Sequence, residues 1–282
     1  MTAPQMESGL LNYTPLPKAE EFHRSDAQTR IILGGNRAGT SLAAAVELAS
    51  ACLGIPIQTP NGVIPNKYPN RPMEVWILTM DFDAIARNIH RLLFKKGAFK
   101  LPDGTPAEPL IPPDQIDDFV YHDEPNRVIF KDCRLKNGTV IKADSSLAPL
   151  PRAGDQYDIV WIDNSLAKDD VVIEAKMRLI DRGGKFFWST FPSMMQPSLK
   201  AFCNKAPFDP NYHVTHLKMI DNPHLDPKII EELAKYMTPE EQRQRIHGDF
   251  VELAKKPDDF PDLGPVVIIN GIEYRRFDKE TT

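Results

Sequence analysis

The order of segments predicts an α/β fold, a mostly parallel sheet with helices on both faces, and three observations carry that prediction. Strand-like and helix-like segments alternate along the chain, several strands are continuous apolar runs, and a glycine-rich turn joins the first strand to the first long helix. An apolar run without alternation is what a strand buried on both faces requires.

Residues 1–21 contain three prolines and little periodicity, and read as an arm ahead of the fold. From Arg30 the chain predicts a strand (Ile31–Leu33), a turn from Gly34 to Gly39, and an alanine-rich helix from about Ser41 to Leu53 stopped by Gly54. A Pro/Asn-rich loop (55–72) precedes a second strand, Val75–Thr79, and a helix from about Asp83 to Lys96 with Ile85, Ile89, Leu92 and Leu93 on one stripe. Residues 97–125 read as loop. A hairpin of 127–130 and 139–143 follows, turning at Asn137-Gly138. The parallel pattern resumes with a strand at 157–162, a helix at 170–180, a strand at 185–189, a helix at 197–204 and a strand at 213–220. Two helices follow, 226–237 and 239–247, the second opened by Thr238, Pro239 and Glu241 as a capping box. Val266–Ile269 and Ile272–Phe277 flank Asn270-Gly271, a C-terminal β-hairpin. The expected organisation is an arm (1–21), a main domain (22–250) and a tail with hairpin (251–282).

The length, 282 residues, allows one large domain or two modest ones. A net charge of −5 argues against a protein coated in positive charge for wrapping nucleic acid, while leaving room for a local basic patch. With 41% hydrophobic and 26% charged residues the composition is that of a soluble globular protein, and no apolar run approaches the roughly 20 residues of a membrane span. Cys52, Cys133 and Cys203 are odd in number and far apart, which suggests neither a disulfide framework nor a zinc knuckle and fits a reducing interior. The N-terminus lacks the basic and apolar regions of a secretory leader.

The segment Gly34-Gly35-Asn36-Arg37-Ala38-Gly39-Thr40-Ser41 lies between a strand and a helix and matches the phosphate-binding pattern GxxxxGK[ST] at every position except the lysine, which is Thr40. Such a loop works because successive backbone N–H groups and the helix N-terminus point at phosphates, while the hydroxyl at the Ser41 position ligates Mg²⁺. Cradle and metal ligand are kept; the ammonium is lost. A glycine-rich βα turn without a ligand is the structural alternative. The run YDIVWID ends at Asp163, where such sites place a Mg²⁺-holding aspartate, but the following residue, usually a water-polarising glutamate, is Asn164. An aspartate at a strand end also serves as a helix cap. Ser189-Thr190 closes the strand KFFWS, where a polar residue senses the γ-phosphate in additional-strand P-loop ATPases. His213 and His216, three apart on a strand, face opposite sides and make a poor metal pair. Arg91, Lys95, Lys96 and Lys100 form a basic cluster, read as a solvated helix face or as a DNA-facing patch.

Six segments in order, 22–49, 75–81, 152–164, 178–193, 221–226 and 239–250, resemble the ATPase domain of the large terminase subunit of tailed double-stranded DNA bacteriophages. The resemblance covers about residues 22–250. It implies an additional-strand P-loop ATPase fold, ATP and Mg as ligands, and work as a DNA-packaging motor in the host cytoplasm. The implied partners are double-stranded DNA, other subunits of a homo- or hetero-oligomeric ring, a portal, and a small terminase or a separate nuclease subunit. Residue by residue, Gly34 to Ser41 would be the Walker A loop, Asp163 the Walker B aspartate holding Mg with Ser41, Thr190 part of the coupling motif, and Arg152 an arginine finger. Arg37 would partly replace the missing lysine, and Phe22 and Gln28 lie where the family packs adenine. Both arginines read equally as solvated surface charge.

The departures are Thr40 and Asn164, two positions that most affect rate, and the 32 residues after Phe250, too few for the nuclease that follows in full-length relatives. The expectation is therefore weak or partner-dependent hydrolysis and no DNA cleavage. The alternatives are a fully active packaging ATPase that uses Arg37, with Asp155 or Asp169 acting on water, and a non-catalytic structural or adaptor subunit.

Overall fold

The structure is a computed structural model that describes residues 7–122, 129–148, 154–192 and 196–251, with the backbone of 266–269 and 272–275. It divides into two units, 1–250 and 251–282. In the second unit β11 (Val266–Ile269) and β12 (Ile272–Arg275) pair antiparallel with Ile269 opposite Ile272, the hairpin read from Asn270-Gly271.

The first unit is built on eight strands: β1 (Thr29–Gly34), β4 (Glu74–Thr79), β5 (Ile116–Tyr121), β6 (Phe130–Leu135), β7 (Val140–Ser145), β8 (Ile159–Asp163), β9 (Lys185–Thr190) and β10 (Tyr212–Leu217). Their order is β10-β1-β9-β8-β4-β7-β6-β5, parallel from β10 to β7 and antiparallel at β6 and β5. A separate small hairpin, β2 (Ile57–Thr59) with β3 (Gly62–Ile64), forms within the expected loop.

Side-chain alternation splits the apolar runs between two cores. Ile32, Val75, Ile77, Ile159, Trp161 and Phe187 face α2 (Thr40–Leu53). Ile31, Leu33, Trp76, Val160, Ile162 and Trp188 face the helices Asp170–Met177 and Pro197–Lys205 on the opposite side. Ala43, Ala44, Ala45 and Ala49 are fully buried, so the backbone of α2 lies close on the sheet, and Gly54 ends it at φ +70°.

The expected helix from Asp83 is α3 (Phe82–Ala84), a π-helical turn (Ile85–Ile89) and α4 (His90–Phe94), capped by Asp81. The expected strand at 127–130 is instead β6, beginning at Phe130, and 127–128 lie outside the described residues. Strand β5 falls in a stretch read as loop: one face is solvated and two register shifts break its alternation, so the sequence shows no period of two. Leu10 and Tyr13, in the segment read as an arm, are buried in the α2-side core, and α1 (Pro17–Arg24) packs on α2 and β10.

Beneath α1 and α2 lies a buried ionic cluster. Glu47 of α2 accepts from Arg30 of β1 (2.8 Å) and Tyr68 (2.6 Å), pairs with His23 Nδ1 of α1 (2.7 Å), and has the Lys67 ammonium at 3.3 Å. The Arg30 guanidinium stands 4.3 Å from the Phe187 ring centroid and 5.0 Å from that of Phe22. Burial alone would raise the Glu47 carboxyl, but Arg30, His23 and Lys67 hold it well below the usual range. Burial also depresses the His23 imidazole, which is therefore neutral near pH 7, and lowers Lys67 to about 8.

Glu47→Ala leaves Arg30 buried without its counter-charge, and should lower the unfolding free energy by about 3–5 kcal/mol in urea titration. The unfolded chain protonates His23 near pH 6.5 while the folded chain does so only at lower pH, so the folded state binds fewer protons in between. Stability should thus fall as pH drops from 6.5 toward 5, read as a decreasing urea midpoint.

Candidate functional site

The carboxyl ends of β1, β8 and β9 meet at one edge of the sheet, with β9 inserted between the strand that feeds the glycine loop and the strand that ends in Asp163. Ligands of open α/β sheets bind beyond this edge.

Gly34 closes β1 and Thr40 opens α2, with Gly39 at φ +91° as its N-cap. Arg37 also takes a left-handed backbone, φ +58°, so the loop doubles back over the helix start. The amides of Gly35 and Asn36 donate to the carbonyls of Leu217 (3.2 Å) and Arg245 (2.7 Å), and that of Ala38 to Gly35 O (3.2 Å). The amides of Arg37, Gly39, Thr40, Ser41 and Leu42 find no acceptor among the described residues. Five backbone donors at the N-terminus of a 14-residue helix form a site for an anion with several oxygens. These are the donors that a phosphate cradle needs, and none of them depends on the residue at position 40.

Asp163, 1% exposed, lies at the end of β8 in register with Ser189 of β9. The Ser189 hydroxyl donates to Asp163 Oδ1 (2.7 Å) and accepts from Trp161 Nε1 (2.8 Å). Burial pushes the Asp163 carboxyl up, and the hydroxyls of Ser41 and Ser189, which face it, pull the other way. Ser41 and Asp163 are thus brought together as the sequence suggested, a hydroxyl and a carboxylate suited to a hard cation.

Asn164 has φ +64° and is held on three sides: its amide donates to Ser189 O (2.7 Å), its carbonyl accepts from Trp188 Nε1 (2.9 Å), and its Nδ2 donates to Asp163 Oδ2 (3.1 Å). Asparagine tolerates this left-handed conformation better than glutamate does. The side chain at 164 therefore orients Asp163 and offers no proton acceptor.

The remaining candidates fall elsewhere. Thr190, 1% exposed, donates to the carbonyl of Phe191 (3.1 Å) and lies on the opposite face of β9 from Asp163. Ser189, its neighbour, is the residue that touches Asp163. No signal in the sequence selects it, since the pairing of Ser189 with Asp163 depends on the register between β8 and β9. Arg37 is exposed, its carbonyl accepting from Asn222 Nδ2 at 2.8 Å, and its side chain forms no ion pair among the described residues. Arg152 and the Met194-Met195 pair lie outside the described residues. Phe22 is fully buried against Phe187, which removes it as a surface for a base, whereas Gln28 is exposed.

Both alternative carboxylates are engaged elsewhere. Asp169 is taken up at the start of the helix Pro197–Lys205, accepting from Ser198 Oγ (2.7 Å) and Ser198 N (3.1 Å). Asp155 precedes β8 at the opposite edge of the sheet and accepts from Tyr157 Oη (2.9 Å) and Lys142 (3.2 Å). Arg91, Lys95, Lys96 and Lys100 are all exposed, and Lys96 pairs with Glu108. His213 contacts Thr215 Oγ1 (3.1 Å), and no cluster of metal-ligating side chains occurs among the described residues.

Segment 219–248, read in the sequence as two helices and, at 221–226 and 239–250, as part of the family resemblance, also surrounds the loop. The helix Pro239–Arg245 delivers the Arg245 carbonyl to Asn36 and Gln244 Nε2 to Pro192 O (2.7 Å), just past β9.

No protein-family model matches the chain, and no curated protein is similar to it in sequence. Solved structures are. The ATPase domain of the Thermus phage P74-26 large terminase shares 17% identity at a TM-score of 0.56, over 86% of this chain and 96% of that one. The large terminase of a thermophilic bacteriophage, in complex with ATP-γ-S, shares 15% identity at a TM-score of 0.57, over 84% of this chain and 53% of that one. That of bacteriophage HK97 shares 12% at 0.50, over 82% of this chain and 50% of that one, so the chain spans about half the length of these two proteins. With an eight-stranded, mostly parallel sheet and the glycine loop at its carboxyl edge, the chain has the fold of phage large terminase ATPase domains.

Proposed function

We propose that the chain is a terminase-type ATPase-fold subunit of a phage DNA-packaging assembly, which binds Mg·ATP at the loop of residues 34–41 and hydrolyses it slowly, or only when a partner completes the site. The observation that carries this reading is the set of unengaged amides of Arg37 and Gly39 to Leu42 beside the Ser41–Asp163 pair. The thermophilic-phage terminase, of similar fold, has been captured with ATP-γ-S and with ADP, which supports a nucleotide as the ligand here.

In this reading the five amides would hold phosphate oxygens, and Ser41 and Asp163 would hold the cation. Bound Mg²⁺ would supply charge neutralisation across the phosphates. Ser189 and Asn164 fix the Asp163 carboxylate through one hydrogen bond to each oxygen. With threonine at 40, the phosphates lose a charge-assisted contact of roughly 1.5–3 kcal/mol, of which Arg37, in the loop and unpaired among the described residues, would restore part. With asparagine at 164 no side chain at that position takes the proton of an attacking water, a loss of about 10²–10⁴ in rate. The partner class is double-stranded DNA.

Titration calorimetry tests the binding claim. Wild-type chain should bind Mg·ATP, and Ser41→Ala and Asp163→Ala should each weaken binding by tenfold or more while the fold persists by circular dichroism. No heat at millimolar ATP would overturn the reading and favour a purely structural subunit.

Turnover tests the account of the two departures. Thr40→Lys should tighten ATP by about ten- to a hundredfold. The double variant Thr40→Lys/Asn164→Glu should raise phosphate release by about 10²–10⁴ over wild type, at a stability cost of about 1–2 kcal/mol for glutamate in the left-handed position. Wild-type turnover already as fast as the double variant's, with or without DNA, would instead assign full catalysis to the existing residues.

A further inference from the structure

The glycine loop does not stand on its own backbone. Its outer side is covered by residues 244–248, and the cover is made almost wholly of main chain. Asn36 N donates to Arg245 O at 2.7 Å, while Met219 N donates to Ile246 O at 2.8 Å and ties the cover to the chain that leaves β10. A Cβ at Gly35 would stand 2.3 Å from Arg245 O and 2.7 Å from Ile246 O. A Cβ at Gly248 would stand 2.9 Å from Gly35 N and 3.0 Å from the Cα and carbonyl carbon of Gly34. All of these neighbours are backbone, which cannot swing aside as a flexible side chain can. The same cover reaches the end of β9 through Gln244 Nε2 and Pro192 O.

We infer that residues 244–248 are the second half of the phosphate loop, and that Gly248 is the positioning residue that sets its curvature. Gly248 is glycine for two separable reasons. It ends the helix Pro239–Arg245 at φ +73°, with its amide on Gln244 O (3.2 Å), and it lies against Gly34 and Gly35 with no room for a Cβ. Gly54 at the end of α2 has the first reason without the second, since its φ is +70° and nothing lies within 4 Å of its would-be Cβ. Comparing the two isolates the contact. Alanine at either position meets the same backbone strain, but only at 248 must it push the loop outward. Moving the loop would break Asn36 N–Arg245 O and re-aim the neighbouring amides of Arg37 and Gly39 to Leu42, so the binding consequence rests on the nucleotide reading above.

The test is amide hydrogen exchange on the free chain, with Mg·ATP titration beside it. Gly248→Ala should speed exchange at Gly35 and Asn36 by tenfold or more and weaken Mg·ATP binding by a similar factor. Gly54→Ala should lower the melting temperature comparably and leave both readouts within about twofold of wild type. Should Gly248→Ala not fold, Gln244→Ala removes only the tie to Pro192 and should still raise exchange at Asn36 several-fold. Unchanged exchange at Gly35 and Asn36 in the variants that fold overturns the inference, as does equal loss of binding in Gly54→Ala. A wild-type chain that binds no nucleotide would defeat the nucleotide reading, while the exchange arm would still decide whether 244–248 holds the loop.

Discussion

The buried contact between Arg30 and Glu47 is the constraint on which the site's geometry rests. Arg30 lies on β1, ahead of the glycine loop, and Glu47 lies on α2, two turns of helix after it. One hydrogen-bonded ion pair therefore clamps both arms of the strand-loop-helix unit. A glutamate inside an alanine-rich helix packed on a sheet would be prohibitive without such compensation. Here the carboxylate has Arg30, His23, Lys67 and Tyr68 about it, drawn from β1, α1 and the loop before β4. That arrangement explains why α1, unremarkable in sequence, is part of the core and why Phe22 is spent on the guanidinium rather than on a ligand.

Much of this architecture was legible in the residues. YDIVWID and KFFWS are apolar without alternation because they face a helix layer on each side, whereas a strand solvated on one face would show a period of two. Gly39, Gly54 and the Asn137-Gly138 turn mark boundaries because a positive φ is required at each glycine. The Thr238–Glu241 capping box forms as read, with Glu241 N donating to Thr238 Oγ1 at 3.1 Å and Thr238 N to Glu241 Oε2 at 2.9 Å. What stayed hidden depended on distant partners. Strand β5 borrows its pairing from β6, Leu10 and Tyr13 gain their burial from α2, and the role of Ser189 over Thr190 follows from which face Asp163 takes. Residues 244–248 act through main-chain atoms, and a carbonyl delivered to Asn36 leaves no trace in residue identity.

The same distinction accounts for what the site keeps and what it lacks. At 12–17% identity the likeness to the solved terminases is one of fold, and the site of this chain is likewise built on geometry: a loop after β1, an intervening strand β9, and an aspartate at the end of β8. Backbone donors are insensitive to substitution, so Thr40 removes a cation without disturbing the cradle. Asn164 differs in kind. Its left-handed backbone and three hydrogen bonds make it a structural corner between β8 and β9, and the side chain that suits the corner is not the one that suits proton transfer.

Because Asn164 N is bonded to Ser189 O and Trp188 Nε1 to Asn164 O, the corner after β8 moves with β9. Pro192, just beyond β9, is tied to Gln244, and Arg245 is tied to the loop after β1. The contacts therefore close a ring: Asp163 to Ser189, β9 to Gln244, Arg245 to Asn36, and α2 back to Asp163 through Ser41. A displacement at any member must be shared by the others, since the links are short hydrogen bonds between groups with little freedom to re-pair. The closed ring thus makes the glycine loop, the corner after β8 and residues 244–248 one hydrogen-bonded unit, built without any contribution from the side chain at position 40.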